Sequence, residues 1–357
     1  MKLQCFFPFG KMGCYIGKVV PAISAMMVMS GQLSAELPQS RNFELQRLAD
    51  GIYAAIHVIG GHAICNAGII DLGDETLIFD TFLSPVAARE LLTAAKQLNL
   101  SPVAYVVNSH WHNDHIRGNG VFGNDVTIVS TELTRELIME NEPQQIARER
   151  EYAKDALVKM DSLMRVEEDP SKKQTYLMWH GYYKAMVESH SMLKSRVPNL
   201  TFDQELVIHG SKRTAQLICH GKGHTESDLI LCLPGEKIVF AADLVFVGVH
   251  PYMADGDPDH WKEYLKKIQD LDIETVVPGH GSVGNAKALS VMAQYIETVE
   301  NLAKEMMDEG ADKSEIDSVP IPKPFDTWSF ESFFRMNMRF LCERIRNRTV
   351  DKKTDEE

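Results

Sequence analysis

The chain reads as an α/β protein with two mixed β-sheets packed face to face, helices outside them, and a helical insertion. Three observations carry this reading. Short β-branched, apolar runs separated by turn residues fill residues 43–80 and again 200–277. Each block ends in helical periodicity. Between them, residues 131 to about 198 lose nearly all strand character and become rich in Glu, Lys, Arg, Met and Gln at helical spacing.

In order, Phe43–Asp50 and Gly51–His57 read as two strands around an Asp-Gly turn. Asn66–Asp71 and Glu75–Asp80 continue an antiparallel meander. Pro85 opens a helix whose apolar positions Ala88, Leu91, Leu92 and Ala95 share one face. Strands follow at Pro102–Asn108 and Val126–Ser130. The insertion carries Tyr176, Trp179, His180, Tyr182 and Tyr183, and is expected to cover the site as a lid. Strands resume at Leu200–Phe202, Glu205–His209, Ala215–Cys219, Leu229–Leu233, Ile238–Asp243 and Glu274–Val277. Helices over Trp261–Leu271, about Ala286–Met307 and about Phe330–Arg348 follow, then a charged tail expected to be disordered. Residues 41–310 are expected to form the main domain, with 311–357 packed upon it.

Residues 1–40 are set apart. Lys2, Lys11 and Lys18 precede the apolar run Val19–Ser30, which is too short to span a bilayer but suits a signal-peptide core. Gly31–Ala35 then offers small residues for cleavage, although Leu33 stands where a small residue is favoured. The expectation is export to the periplasm or exterior; without cleavage and export the protein would be cytoplasmic. Across all 357 residues, 44% are hydrophobic and 24% charged, an ordinary soluble composition. The formal net charge of −13 argues against nucleic acid as a partner. A small-molecule substrate is expected, with no stable membrane span. Cys65, Cys219, Cys232 and Cys342 are widely spaced and read as buried free thiols.

The chemistry centres on His110-Trp111-His112-Asn113-Asp114-His115, a His-x-His-x-Asp-His pattern following a strand. Neutral imidazole and carboxylate are ligands for zinc and similar divalent metals. In an extended loop His110 and His112 project the same way, while Asp114 and His115 turn toward a second point. Three further ligand-type residues each sit just past an apolar strand: His224, Asp243 and His280. Strand ends along one edge of a layered fold converge on one cavity.

As a set, His110–His115, Gly223-His224-Thr225, Ala242-Asp243 and Pro278-Gly279-His280-Gly281 resemble the metallo-β-lactamase fold superfamily, over about Leu45 to Gly284 apart from the insertion. The resemblance implies an αββα sandwich with metals at one edge of the sheets. It implies that His110, His112 and His224 hold a first metal, that Asp114, His115 and His280 hold a second, and that Asp243 bridges them. Asp at 243, where the lactamases often carry Cys or Ser, is similar to the glyoxalase II, lactonase and relay-type branches. The run Phe240–Phe246 with His250-Pro251-Tyr252 looks most like the quinoprotein-relay-type hydrolases. Ala242 replaces the Gly usual before the bridging Asp. His112, where diiron flavoprotein relatives carry Glu, disfavours redox diiron chemistry.

The expected function is a dinuclear zinc hydrolase, with iron or manganese as alternative metals. Zinc brings the pKa of bound water to about 7, and the resulting hydroxide attacks the carbonyl of a small ester, thioester or lactam. Asp114 would be both ligand and catalytic proton carrier. Asp80 is a candidate to orient a ligand histidine. His250, Tyr252, Trp179, Tyr182 and Tyr183 are candidates to line the cleft, although packing accounts for each taken singly. His57, His62, His180, His190, His209, His220 and His260 sit in no motif and read as non-ligands. The alternatives are a phosphodiesterase on the same fold and a metal-containing binding protein without catalysis.

Overall fold

The computed structural model describes residues 36–354, so the expected leader lies outside the described residues except for 36–40. The meander forms as the alternation predicts: β1 (Phe43–Ala49), β2 (Ile52–His57), β3 (Ala67–Asp71) and β4 (Thr76–Phe79) pair antiparallel in sequence order. Helix α1 (Pro85–Gln97) starts where Ser84 accepts a hydrogen bond from the Ala87 N–H, with Pro85 in its first turn. Strand β5 (Val103–Val107), the short helix α2 (Asn113–Ile116) and strand β6 (Thr127–Thr131) follow.

The insertion is two long helices, α3 (Glu132–Val166) and α4 (Pro170–Ser189). Thr131 caps α3 and Asp169 caps α4, each through its side-chain oxygen. Strand β7 (Leu200–Phe202) returns to the first sheet beside β6. That sheet has seven strands in the order β1 to β7, antiparallel through β4 and parallel from β4 onward.

The second sheet is built from β8 (Glu205–His209), β9 (Thr214–Gly221), β10 (Asp228–Leu233), β11 (Ile238–Val247), β12 (Thr275–Gly281) and β13 (Gly284–Asn285). Its order is β13-β12-β11-β10-β9-β8. Helix α5 (Pro258–Gln269) makes the crossover between the parallel pair β11 and β12. Helices α6 (Lys287–Asp308), α7 (Lys313–Ser318) and α8 (Glu331–Thr354) complete the described chain.

Burial divides into layers, as two-faced sheets require. Ile52, Ile70, Leu77, Phe79, Leu217 and Phe240 fill the space between the sheets. Ile69, Ile78 and Val106 on the outer face of the first sheet meet Ala87, Leu91 and Ala94 of α1. Val239, Leu244 and Val276 of the second sheet meet Trp261, Leu265, Tyr295 and Phe334 of α5, α6 and α8. This is the layered sandwich expected from the sequence.

Three local expectations need correction. Asp243 does not end its strand: β11 runs on to Val247, with its register to β12 interrupted at Ala242, which lies at φ 46°. Asp114 and His115 lie on one turn of helix rather than in an extended loop. The charged tail does not stop the last helix at Arg348; α8 continues through Thr354, because Lys and Thr carry on a helix that is already nucleated by packing.

Candidate metal centre

The hydrogen-bonded frame comes first. Asp80 directly follows β4 and lies in the left-handed region, at φ 61°, with its carboxylate buried. It accepts from the Ser109 N–H and hydroxyl, each at 2.8 Å, and from His115 Nδ1 at 2.7 Å. Burial pushes the Asp80 carboxyl upward, and the His115 contact and the Ser109 donors work against that rise. The bond fixes the His115 tautomer and turns Nε2 toward the sheet edge.

A second frame residue escaped the sequence reading. Asp255 Oδ2 lies 3.0 Å from His112 Nε2, so His112 presents Nδ1 to the cluster. The two are 143 positions apart, and Asp255 follows no strand that would have flagged it. Asn66 was missed as well. Its backbone N–H donates to Gly279 O, and its Nδ2 donates to the Pro278 and Gly281 carbonyls, each at 2.9 Å. One side chain between β2 and β3 thereby clamps the segment that carries His280.

All seven sequence-predicted residues meet inside this frame. His112 Nδ1 is 3.0 Å from His224 Nε2, and the His110 ring packs 4.8, 4.2 and 5.1 Å from those of His112, His115 and His224. Asp243 Oδ2 lies 3.3 Å from His224 Nε2 and 3.2 Å from His280 Nε2; its Oδ1 lies 3.2 Å from His115 Nε2. Asp114 Oδ2 lies 3.5 Å from His280 Nε2 and 3.7 Å from His115 Nε2. Asp243 therefore stands between two histidine groups. Gly279 makes room for it: a Cβ there would fall 1.9 Å from Asp243 Oδ1.

The electrostatics match a cation centre. Burial, joined by His115 and His112, holds the His110 pKa well below the usual histidine value, and burial holds His224 at about 3. Both rings are neutral at pH 7, with lone pairs available. Burial also disfavours charge on His115, but Cys65, Asp243, Asp80 and Asp114 outweigh it and raise that pKa well above the usual value. Burial likewise opposes charge on His280, and Asp243 and Asp114 overcome it. Asp243 is itself held well below the carboxylate range: burial works upward, and His280 and His115 override it. The carboxylates thus call for positive charge beside His115 and His280. His110 Nε2, His115 Nε2 and Asp243 Oδ1 are buried without a hydrogen-bond partner among the described residues. Orphaned ligand atoms at such spacing fit a divalent cation. Cys65 was not foreseen here; its Sγ lies near Asp114 and His115 and donates to the Asp114 carbonyl at 2.9 Å.

The cluster opens into a cavity of about 530 Å³. Gln145, Glu149 and Tyr152 of α3 and Trp179, Tyr182 and Tyr183 of α4 line it, so the insertion forms one wall. The wall is tied to the histidine loop. Asn113 Nδ2 donates to Glu149 Oε1 and to Tyr182 Oη, and the buried Arg117 pairs with both Glu142 and Glu149. Gly181 lets α4 press on the β2–β3 loop, since a Cβ there would meet Gly60 and Gly61 backbone at 2.8 Å. His250 and Tyr252 border the cavity, as does His57, which reads from the sequence as a non-ligand and which lies outside the groups of candidate ligands. His62, His180, His190, His209, His220 and His260 lie outside the cluster of candidate ligands.

The fold is shared with known hydrolases. A metallo-beta-lactamase from Pontibacter korlensis superposes with a TM-score of 0.52 at 20% identity, covering 71% of this chain and 99% of that one. The structure of TMB-1 superposes with a TM-score of 0.51 at 15% identity, covering 72% of this chain and 98% of that one. The sequence profile of the metallo-beta-lactamase superfamily matches residues 60–280, which span the first cavity loop through the last histidine of the cluster. The chain therefore belongs to the metallo-beta-lactamase superfamily of metal-dependent hydrolases.

Proposed function

We propose that this chain is a dinuclear zinc hydrolase acting on a small ester, thioester or lactam. The observation that carries the reading is the convergence of seven imidazole and carboxylate groups, some of them buried without partners, at one end of a cavity. In this reading His110, His112 and His224 hold one ion, Asp114, His115 and His280 hold the other, and Asp243 joins them. Bound zinc supplies polarisation of a carbonyl and brings the pKa of water down to about 7.

The chain's own residues do the rest. Asp114 stands between His115 and His280 and borders the cavity, where its carboxylate takes the proton released on attack and returns it to the leaving group. Asp80 orients His115 from outside the cavity, and Asp255, at the cavity wall, orients His112. Trp179, Tyr182 and Tyr183 keep bulk water from the acyl group. The −13 net charge weighs against a phosphodiester polymer as substrate. Export by the leader in residues 1–40 is part of the same proposal, and the N-terminal mass of secreted protein tests it.

The functional test is hydrolysis by zinc-loaded protein of a chromogenic β-lactam, a glutathione-type thioester and a nitrophenyl ester, side by side. Turnover of at least one, abolished by His112→Ala, is expected. Turnover of none, or turnover that His112→Ala leaves intact, overturns the proposal.

A further inference from the structure

The cavity beyond the histidine cluster has a chemical character of its own. Trp179 and Tyr183 stack at 5.8 Å with an interplanar angle of 23°, and Phe333 of α8 packs 5.6 Å from Trp179. Together with Tyr182, Tyr252 and Phe246 they make a largely aromatic lining. Asp114, Glu149, Asp243 and Asp255 line it too, whereas Arg148 is the only lysine or arginine among the described lining residues, and it is exposed. The one buried cation beside the cavity, Arg117, is already taken up by Glu142 and Glu149, so an anionic substituent away from the metal cluster would find no unpaired buried cation among the described residues. The volume of about 530 Å³ suits a small organic molecule with a ring system.

One polar group in the wall that belongs neither to the metal cluster nor to the Arg117 ion pairs lacks a partner. His250 is fully buried, and its Nε2 has no hydrogen-bond partner among the described residues. A chain of bonds settles which ring nitrogen carries the proton. Asn337 Oδ1 accepts from the Met253 N–H at 3.0 Å, so Asn337 Nδ2 donates to Pro251 O at 2.8 Å and to Tyr295 Oη at 3.3 Å. Tyr295 then has His250 Nδ1, 3.1 Å away, as acceptor for its own hydrogen. Nδ1 is therefore the acceptor, and Nε2 carries an N–H with nothing to receive it. Burial, with Arg335 nearby, pushes the His250 pKa down to about 4, so the ring is neutral at pH 7. A buried N–H without a partner calls for an acceptor from whatever fills the cavity.

We propose that the cavity receives an uncharged aromatic portion of the substrate, and that His250 selects it by donating from Nε2 to a carbonyl or ether oxygen on that portion. This deepens the hydrolase reading by naming the substrate class, and its test reads binding rather than turnover. The probes are 4-phenylbutan-2-one, which is aromatic with one ketone, and butylbenzene, its counterpart without the oxygen. Their dissociation constants for zinc-loaded full-length protein are measured by tryptophan fluorescence. The ketone is expected to bind roughly tenfold tighter than the hydrocarbon, the worth of one hydrogen bond. His250→Phe should reduce that ratio to about onefold, and His250→Gln, which keeps a side-chain N–H, should restore part of it. In wild-type protein with 15N-labelled histidine, the ketone alone should shift a neutral Nε2–H resonance downfield. A ratio that survives His250→Phe, equal affinity of the two probes, or no histidine shift would overturn the proposal. None of these outcomes depends on whether an ester is hydrolysed.

Discussion

Gly279→Ala is the sharpest perturbation that the geometry offers. The new methyl carbon would stand 1.9 Å from Asp243 Oδ1, 2.8 Å from the Ala242 carbonyl carbon and 2.9 Å from the Asp243 nitrogen. Real Cβ contacts essentially never fall below 3.0 Å, so the Asp243 carboxylate must move by about 1.1 Å. Two of the three contacts are backbone of β11, an inner strand of the second sheet that is buried along almost its whole length and cannot retreat freely. A shift of that size is comparable with Asp243's whole margin for reaching both His115 and His280, each now 3.2 Å away. Misplacement by about 1 Å at a reacting centre costs on the order of a hundredfold in rate. The overpacking itself should cost about 1–3 kcal/mol of stability. The assay is metal content per chain after dialysis, by inductively coupled plasma mass spectrometry, alongside kcat/KM and the urea midpoint. Loss of bound metal together with a fall in kcat/KM of about a hundredfold is expected. Wild-type metal content with activity within a fewfold would refute the argument that Gly279 exists to seat Asp243.

Asp255→Asn should weaken zinc binding roughly 10- to 100-fold by freeing His112 to turn, while secondary structure stays intact; competition with a chromogenic chelator measures it. Arg117→Met leaves Glu142 and Glu149 buried without their cation and should lower stability by about 3–5 kcal/mol in urea unfolding. Adding Glu142→Gln and Glu149→Gln to that variant should recover part of the loss, because no unpaired carboxylate then remains. His250 makes stability fall with acid. Its folded pKa of about 4 lies below the ordinary 6.5, so between those values the unfolded chain takes up a proton that the fold refuses. That contribution is fully present above pH 6.5, is lost as pH drops toward 4, and amounts to roughly 3 kcal/mol. Unfolding of His250→Phe at pH 7.5 and 5 should therefore show a smaller acid loss than wild type; equal losses would place the effect elsewhere.

What could be read from residues alone follows from how far apart the interacting partners lie. The layered fold was legible because each strand and helix declares itself by local periodicity, and Asp80 could be suspected because it follows a strand near the histidine loop. The seven clustered residues were legible because four fall in the His110–His115 run, His224 and His280 follow glycines, and Asp243 follows the apolar run Ile238–Ala242, although the strand itself continues to Val247. Asp255 was not, since its partner His112 is 143 residues away and nothing local distinguishes it from other loop carboxylates. Asn66 was hidden for the same reason, bonding backbone more than 210 residues away. Ala242 was noticed for replacing a glycine, and its φ of 46° explains why glycine is favoured there. The tie between Asn113, Glu149 and Tyr182 needed the docked insertion, because helix periodicity names a buried face without naming what it faces.

The central claim is that the histidine and carboxylate cluster is one dinuclear metal site. Its most direct test is a zinc titration of chelator-stripped, full-length protein, with bound zinc counted per chain after dialysis. Two ions per chain, falling to one or none in Asp243→Ala, is the predicted result. No stoichiometric zinc in the wild-type protein, or an unchanged count in Asp243→Ala, would contradict it.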